Sequence, residues 1–200
     1  MAEHVRIFVD FWNFQLEWNK RTNSQKINWT ILPQILFQEL TKIQSIDSPK
    51  YDGTKVYASV DMTTPEDGRL KNWLKSFLDR QPGINVHIRE RKPHLKSVHC
   101  KNCGKEIVNC PECNQPLKRA VEKGVDSAII TDMFSLAWVE AYSIAILLSS
   151  DADFVPAVDN LQAKGFKIIN ATWSDMGYKL CGACWAYIDI RNITQSLVRI

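Results

Sequence analysis

Residues 143–171 read SIAILLSSDADFVPAVDNLQAKGFKIINA and contain a complete strand–helix–strand unit. The apolar run at 143–149 predicts a buried strand, and residues 166–171 predict a second one. Between them, residues 154–164 predict a helix that Gly165 closes. Buried strands joined through a helix are typical of neighbouring parallel strands, so this stretch favours an α/β protein.

The same alternation of strands and helices continues on both sides of this unit. Further strands are predicted at 6–10, 55–60 and 84–89, and further helices at 28–44, 65–78 and 125–141. The tail, 176–200, is expected to hold one or two short helices and leaves room for a short strand. Because crossovers between parallel strands are right-handed, we expect a three-layer α/β/α sandwich around a central, mostly parallel sheet.

Length and composition are those of one globular domain spanning residues 1–200. The chain has 45% hydrophobic and 24% charged residues, so we do not expect disorder. A net charge of +3 and a pI of about 8.5 permit a polyanionic partner without requiring one. No export signal or membrane-length apolar run appears, so we expect a cytoplasmic protein whose cysteines are metal ligands or buried thiols.

Acidic residues stand where several of the predicted strands end. Asp10 ends the first strand and Asn13 follows it, while Asp151 and Asp153 come after the strand at 143–149. Asp126 opens the helix that leads into that strand. Ligands of open parallel sheets bind at the carboxyl ends of the strands, so we expect these side chains to meet at one edge. Taken singly, Asp126 and Asp153 are also what a helix start favours.

Clustered carboxylates repel one another and persist when a cation neutralises them. Their hard oxygen atoms select Mg²⁺ or Mn²⁺, ions that suit phosphodiester hydrolysis. Asn13 would add a neutral oxygen ligand or orient a phosphate. The pattern therefore favours a metal-dependent phosphodiesterase.

Three motifs carry a resemblance to a known family. They are Val-Asp-Phe-Trp-Asn at 9–13, Lys-Gly-Val-Asp-Ser-Ala-Ile-Ile-Thr-Asp at 123–132 and Leu-Ser-Ser-Asp-Ala-Asp-Phe-Val-Pro at 148–156. In order and spacing they resemble the NYN (LabA-like) branch of the PIN-like nucleases, over about residues 6–173. Bulky Phe11 and Trp12 stand where smaller residues are common in that family.

The resemblance implies a PIN-like fold, RNA as substrate and Mg²⁺- or Mn²⁺-dependent ribonuclease activity. PIN-like domains often pair, so it also suggests a homodimer. It places the catalytic site at Asp10, Asn13, Asp126, Asp151 and Asp153, with the four aspartates as metal ligands.

A cysteine-rich segment at 98–117 interrupts the α/β pattern. Cys100 and Cys103 form one Cys-x-x-Cys knuckle, and Cys110 and Cys113 form a second. Two such knuckles supply the four thiolates of a structural Zn²⁺ site, and Gly104 permits the left-handed turn after the first knuckle. Four reduced thiols or a redox pair are the alternatives to this inserted zinc ribbon.

Basic residues flank the cysteine segment. They are Arg89, Arg91, Lys92, His94, Lys96, Lys118, Arg119 and Lys123. With the ribbon they would clamp an RNA backbone near the acidic edge. The alternative is a solvated run of charge that keeps an insertion soluble.

The remaining cysteines and the tryptophans favour packing roles. Cys181 and Cys184 lack a second pair, and their neighbours predict a short buried helix. The tryptophans are mostly expected in the core, although Trp12 and Trp18 follow the first motif and could stack on bases.

The leading hypothesis is an endoribonuclease, and a non-catalytic zinc-ribbon RNA-binding or adaptor protein is the alternative. A phosphatase of the haloacid dehalogenase type would need Asp-x-Asp after the first strand, but Trp12 occupies the second position. A Toprim-like enzyme would need a glutamate on that strand. No glycine-rich phosphate loop is present, so use of a nucleoside triphosphate is not expected.

Overall fold

The computed structural model describes residues 3–95, 97–99, 101–121 and 124–199. The strands are β1 (Glu3–Asp10), β2 (Pro49–Asp61), β3 (Ile84–Leu95), β4 (Val98–His99), β5 (Glu106–Ile107), β6 (Lys118–Val121), β7 (Ile144–Leu148), β8 (Lys167–Thr172) and β9 (Ala186–Asp189). The helices are α1 (Phe11–Arg21), α2 (Leu32–Leu40), α3 (Pro65–Ser76), α4 (Val125–Trp138), α5 (Val155–Ala163), α6 (Tyr178–Ala183) and α7 (Thr194–Leu197). Short 3-10 helices cover Leu78–Arg80, Ala152–Phe154 and Ile190–Ile193.

The central sheet has seven strands in the order β6-β3-β2-β1-β7-β8-β9. Six of them run parallel, and β6 pairs antiparallel with the last part of β3. Helices cover both faces, as the α/β sandwich prediction requires. Among the described residues, no helix is long and apolar enough to cross a membrane.

The alternation of side chains along β1 divides the core into two parts. Val5, Ile7 and Val9 face the layer of α1, α2, α3 and α7, whereas Phe8 faces the layer of α4, α5 and α6. Strand β7 is buried along its whole length, which explains its continuous apolar sequence. Since Asp10 lies two residues after Phe8, it belongs to the face covered by α4.

Two helices differ from the sequence prediction. Helix α1 was not predicted; it begins because Asp10 caps it by accepting from the backbone N–H of Asn13. Helix α2 starts at Leu32 and not near residue 28, because Pro33 fits only the first turn of a helix. Asn28 instead accepts hydrogen bonds from the backbone and hydroxyl of Thr30.

The order of the strands reverses between β1 and β7. From β1 the chain proceeds outward through β2 to β3, and later from β7 through β8 to β9 on the other side. A crevice forms at such a switch point, outside the carboxyl ends of the two strands. We therefore expect the functional site to lie between Asp10, at the end of β1, and the segment that follows β7.

Candidate active site at the carboxyl edge of the sheet

Asp10 lies at the switch point and is almost fully buried, with 6% of its surface exposed. One carboxylate oxygen, Oδ1, accepts from the N–H of Asn13 at 3.3 Å. The other, Oδ2, accepts from the hydroxyl of Ser149 at 3.3 Å, across 139 residues of sequence. These two bonds fix the carboxylate relative to both halves of the sheet.

The loop after β7 is organised by the same hydroxyl. The Oγ atom of Ser149 accepts from the backbone N–H of Asp151 at 3.2 Å. Asp151 in turn caps the following 3-10 helix, because its Oδ1 accepts from the N–H of Asp153 at 2.9 Å. A continuous hydrogen-bond chain thus joins Asp10 through Ser149 to Asp151 and Asp153.

Asn13 ties this loop to α1. Its side-chain Oδ1 accepts from the backbone N–H of Ser150 at 2.9 Å. The hydroxyl of Ser150 is 2.8 Å from that of Thr172 at the end of β8. Asn13 therefore holds the loop backbone, and the ligand or phosphate contact expected from sequence stays a prediction.

Gly177 supports the loop from the other side. It has a φ of +68°, and a Cβ placed on it would lie 3.1 Å from the Cα of Ser150. A side chain at this position would press on the loop backbone while holding an unfavourable conformation. The close approach fixes the position of the loop that carries Asp151.

Asp126 lies in the first turn of α4, two residues after Gly124, which has a φ of +84°. Helix α4 packs on β1 and β2 with Val125, Ile129 and Met133 buried. Asp126 therefore starts at the carboxyl edge of the sheet on the face to which Asp10 belongs. The hydrogen-bond chain from Asp10 through Ser149 to Asp153 does not pass through Asp126.

The oxygen-rich set of side chains fits a hard cation better than a soft one. Within the described residues, however, no group of three or more His, Cys, Asp or Glu side chains is arranged to hold a metal ion. Magnesium commonly binds to one or two carboxylates and completes its shell with water and substrate phosphate. Asp10 and Asp151 are compatible with that mode, and the metal stays a prediction.

Sequence reasoning missed Ser149, which connects the two acidic segments. Ser149 is 2% exposed and bonds both Asp10 and the backbone of Asp151. The only local signal was its place between a buried strand and an acidic turn. Its contact with Asp10 depends on the pairing of β7 with β1, which no local pattern specifies.

The cysteine segment contains a separate two-stranded sheet, β4 with β5. Cys103, Cys110 and Cys113 are free thiols, and Cys100 lies outside the described residues. The residues after the two knuckles, Gly104 and Asn114, have φ values of +69° and +56°. The left-handed turn predicted at Gly104 is thus confirmed, whereas the zinc site stays a prediction.

Three cysteines have shifted pKa values. Backbone N–H groups of Cys113 and Glu112, and then the Cys113 side chain, lower the pKa of Cys110. Burial raises the pKa of Cys181, and burial together with the charges of Cys181 and Asp159 raises that of Cys184 to about 12. The predicted short helix at this pair is α6, and its Leu180 is buried.

The predicted nucleic-acid contacts fall into different environments. Arg89 is exposed on β3, while Arg91 donates to Asp67 Oδ2 at 2.7 Å and packs over the Trp12 ring. Lys96 and Lys123 lie outside the described residues, as do the side chains of Lys92, His94, Lys118 and Arg119. Arg91 is therefore engaged inside the protein, and the other contacts stay predictions.

The tryptophans divide between core and surface. Trp18, Trp29 and Trp173 are buried, so base stacking by Trp18 is wrong. Trp138 is 86% exposed and Trp185 41% exposed, so the core expectation is wrong for these two. Trp12 and Trp73 are partly buried and border the same groove.

Comparisons with known proteins point to one family. A sequence model of the NYN domain matches residues 4–191. No curated protein matches the chain. A crystal structure of a protein of unknown function from Vibrio parahaemolyticus is similar, with a TM-score of 0.58 and 16% identity over 94% of this chain and 93% of that chain. At this identity the likeness concerns the fold alone.

Proposed function

Since the chain belongs to the NYN domain family, we propose that it is a metal-dependent endoribonuclease acting at the crevice between β1 and β7. NYN domains are in general nucleases of the PIN-like superfamily. The hydrogen-bond chain from Asp10 through Ser149 to Asp151 carries the proposal. It holds two carboxylates, from distant parts of the sequence, at the place where α/β sheets bind ligands.

The carboxylates would hold Mg²⁺ or Mn²⁺, with Asp10 and Asp151 as the central pair and Asp126 and Asp153 as further ligands. When bound, such an ion activates water and stabilises the leaving oxygen of a phosphodiester. RNA phosphates would complete its shell, as is usual for magnesium.

The other residues of the site would position these carboxylates. Ser149 donates to Asp10 and so restricts its rotation, while Asn13 holds the backbone at Ser150. Because reacting groups must be placed within a fraction of an ångström, losing either contact is expected to lower turnover. Both are positioning residues in this proposal.

The cysteine segment would add a structural Zn²⁺ bound by Cys100, Cys103, Cys110 and Cys113. The repeated knuckle and left-handed turn at Gly104 and Asn114 support this reading. A closed site of four thiolates has no open position for chemistry, so its zinc would be structural. With exposed Arg89 and the lysines beside it, the segment would contact the RNA backbone.

A second candidate is a non-catalytic RNA-binding or adaptor protein on the same scaffold. The observation in its favour is that the described residues contain no ready-made group of three metal ligands. It predicts RNA binding that weakens steeply with salt, without turnover. A homodimer and a cytoplasmic location also remain proposals.

The test uses labelled single-stranded RNA, structured RNA and DNA, each with Mg²⁺, Mn²⁺ or EDTA. Asp10→Asn and Asp151→Asn keep the shape of the side chains and remove their charge, so cleavage should be abolished. Asp159→Asn, an exposed position on α5, is the matched control and should cleave normally. Circular dichroism and thermal melts check that all variants fold.

Cleavage that requires both the metal and Asp151 would establish the ribonuclease and rank its substrates. Cleavage that persists in the folded Asp10/Asp151 double variant would refute the site. Salt-sensitive RNA binding with no cleavage under either ion would select the adaptor.

A further inference from the structure

A groove with a volume of about 450 Å³ lies between α1 and α3, on the opposite face of the sheet from α4. Both helices begin at the carboxyl edge of the sheet, the edge at which the candidate site lies. Trp12, which borders it, follows Asp10 by two positions. The volume lies in the range of small-molecule pockets.

Aromatic rings make up much of the groove wall. Trp12 and Phe11 are in edge-to-face contact at 5.2 Å, and Phe11 stacks on Trp29 at 4.9 Å. Across the groove, α3 contributes Leu70 and Trp73. Trp12 is fixed in place, because its Nε1 donates to the carbonyl of Ser59 at 2.6 Å.

Amides, cations and carboxylates accompany these rings, and the carboxylates are those of Glu66 and Asp67 on α3, of which Asp67 is paired with Arg91. Gln15 accepts from Trp29 and donates to Asn19, so two side-chain amides line the groove in a fixed arrangement. At another part of its lining, Lys26 and Arg199 are joined by a backbone hydrogen bond of 2.7 Å. Arg91 lies over the Trp12 ring beside the opening.

We propose that this groove binds one unpaired nucleobase of the RNA strand whose phosphodiester is cleaved at the neighbouring crevice. The inference rests on the proposal that RNA is the substrate, and it restricts that substrate to single-stranded segments. Aromatic faces stack on any base, and side-chain amides can hydrogen-bond to its edge. The cations at Lys26 and Arg199 suit the phosphates on either side of that base.

An apolar protein segment is the alternative occupant. The cations Lys26 and Arg199 favour a nucleotide, because an apolar segment offers them no phosphate to bind. Each of the two helices also places a partly buried tryptophan along the groove. Such aromatic side chains commonly stack on unpaired bases.

The experiment measures binding of a short single-stranded RNA in EDTA, so that it is independent of cleavage. An abasic site is placed at each position of the RNA in turn. Trp73→Ala should weaken binding of the intact RNA about fivefold to 100-fold and remove the preference for a base at one position. Trp73→Phe should restore most of the affinity.

Trp138→Ala is the matched control, since Trp138 is 86% exposed at the end of α4, and it should bind like the unaltered protein. Leu70→Trp fills the groove without removing a core contact of Trp73. It should reduce binding as well, so the inference remains testable if Trp73→Ala does not fold.

Equal binding by every abasic RNA would overturn the inference, as would full affinity in the folded Trp73 and Leu70 variants or no RNA binding at all. Capture of an apolar peptide in place of RNA would also overturn it. Base-dependent binding without cleavage would remove the ribonuclease proposal and leave the groove assignment intact. Cleavage without base-dependent binding would remove the groove assignment and leave the ribonuclease proposal intact.

Discussion

Two acidic side chains in this protein, buried Asp10 and half-buried Asp132, are held by specific hydrogen-bond donors. Asp10 receives hydrogen bonds from Asn13 and Ser149, and Asp132 receives them from Lys55 and Tyr57, each at 2.6 Å. Buried carboxylates need such partners, because desolvation without them is costly. Asp132 is paired with Lys55, which suits a structural role on α4.

Asp132 gives a prediction for stability at acid pH. Burial acts to raise the pKa of its carboxyl, but hydrogen bonds from Lys55 and Tyr57 outweigh burial and lower it. A carboxyl with a lowered pKa in the folded state stabilises the protein above its ordinary pKa of ~4, and this contribution disappears as pH falls through the lowered value. Asp132→Asn should therefore have a lower free energy of unfolding at neutral pH. Its free energy of unfolding should also fall less than that of the unaltered protein as the pH is lowered.

Urea unfolding at a series of pH values from neutral to strongly acid measures this difference. Asp159→Asn, with its exposed carboxyl, should follow the unaltered protein throughout. Parallel curves for Asp132→Asn and the unaltered protein would show that ionisation of Asp132 does not contribute to the stability of the fold.

At the level of residues, sequence predicted where the carboxylates stand but not how they are held. Strand ends identified the edge at which Asp10 and Asp151 lie, because the apolar runs before them are unambiguous. Ser149 and the backbone contact of Asn13 depend on neighbours 139 and 137 residues away. Such partners follow from strand pairing and side-chain rotation, neither of which a local pattern encodes.

Among the secondary structure elements, α1 and the end of β3 show the limits of periodicity. Phe11, Phe14 and Trp18 are the buried residues of α1 and do have helical spacing, but the polar residues between them obscured the signal. Strand β3 continues to Leu95 because β6 pairs with its last four residues. Because this extension depends on pairing with β6, the alternation of apolar and polar residues within 84–89 does not predict it.

Two glycines near α6 test how the loop after β7 is positioned. Gly177 has positive φ and touches Ser150, whereas Gly182 has no atom within 4 Å of an added Cβ. Gly177→Ala should lower the free energy of unfolding by about 1–2 kcal/mol, the cost of a left-handed non-glycine residue. It should also lower cleavage, since it displaces the loop that carries Asp151.

Gly182→Ala is the matched control within the same helix. It should leave cleavage unchanged and raise stability by up to about 1 kcal/mol, because alanine favours a helix more than glycine does. Urea unfolding and initial cleavage rates measure both effects. Normal cleavage by Gly177→Ala would show that the contact with Ser150 does not position the site.

At the scale of the whole molecule, the cysteine segment contains a small sheet that is separate from the central one. β4 and β5 form a sheet of their own, and the segment joins the main sheet through the antiparallel pair of β3 with β6. Leu95 is paired with Lys118, so the two ends of the insertion lie side by side. The α/β domain should therefore fold without the residues between them.

Replacing residues 96–117 by Asn-Gly, which favours a two-residue hairpin turn, tests this independence. The shortened protein should keep its circular dichroism and melt cooperatively, while metal analysis should show the loss of one zinc per chain. If the segment contacts the RNA backbone, KM for RNA should rise with little change in kcat, as expected for binding shared by ground and transition states.

The full-length Cys103→Ser/Cys113→Ser variant separates the metal from the length of the chain. A raised KM in both proteins would assign the RNA contact to the folded, zinc-bound segment. A raised KM in the shortened protein alone would assign it to the basic residues that the deletion removes. Unchanged KM in both would restrict RNA binding to the sheet edge and the α1–α3 groove, and the insertion would then serve another partner.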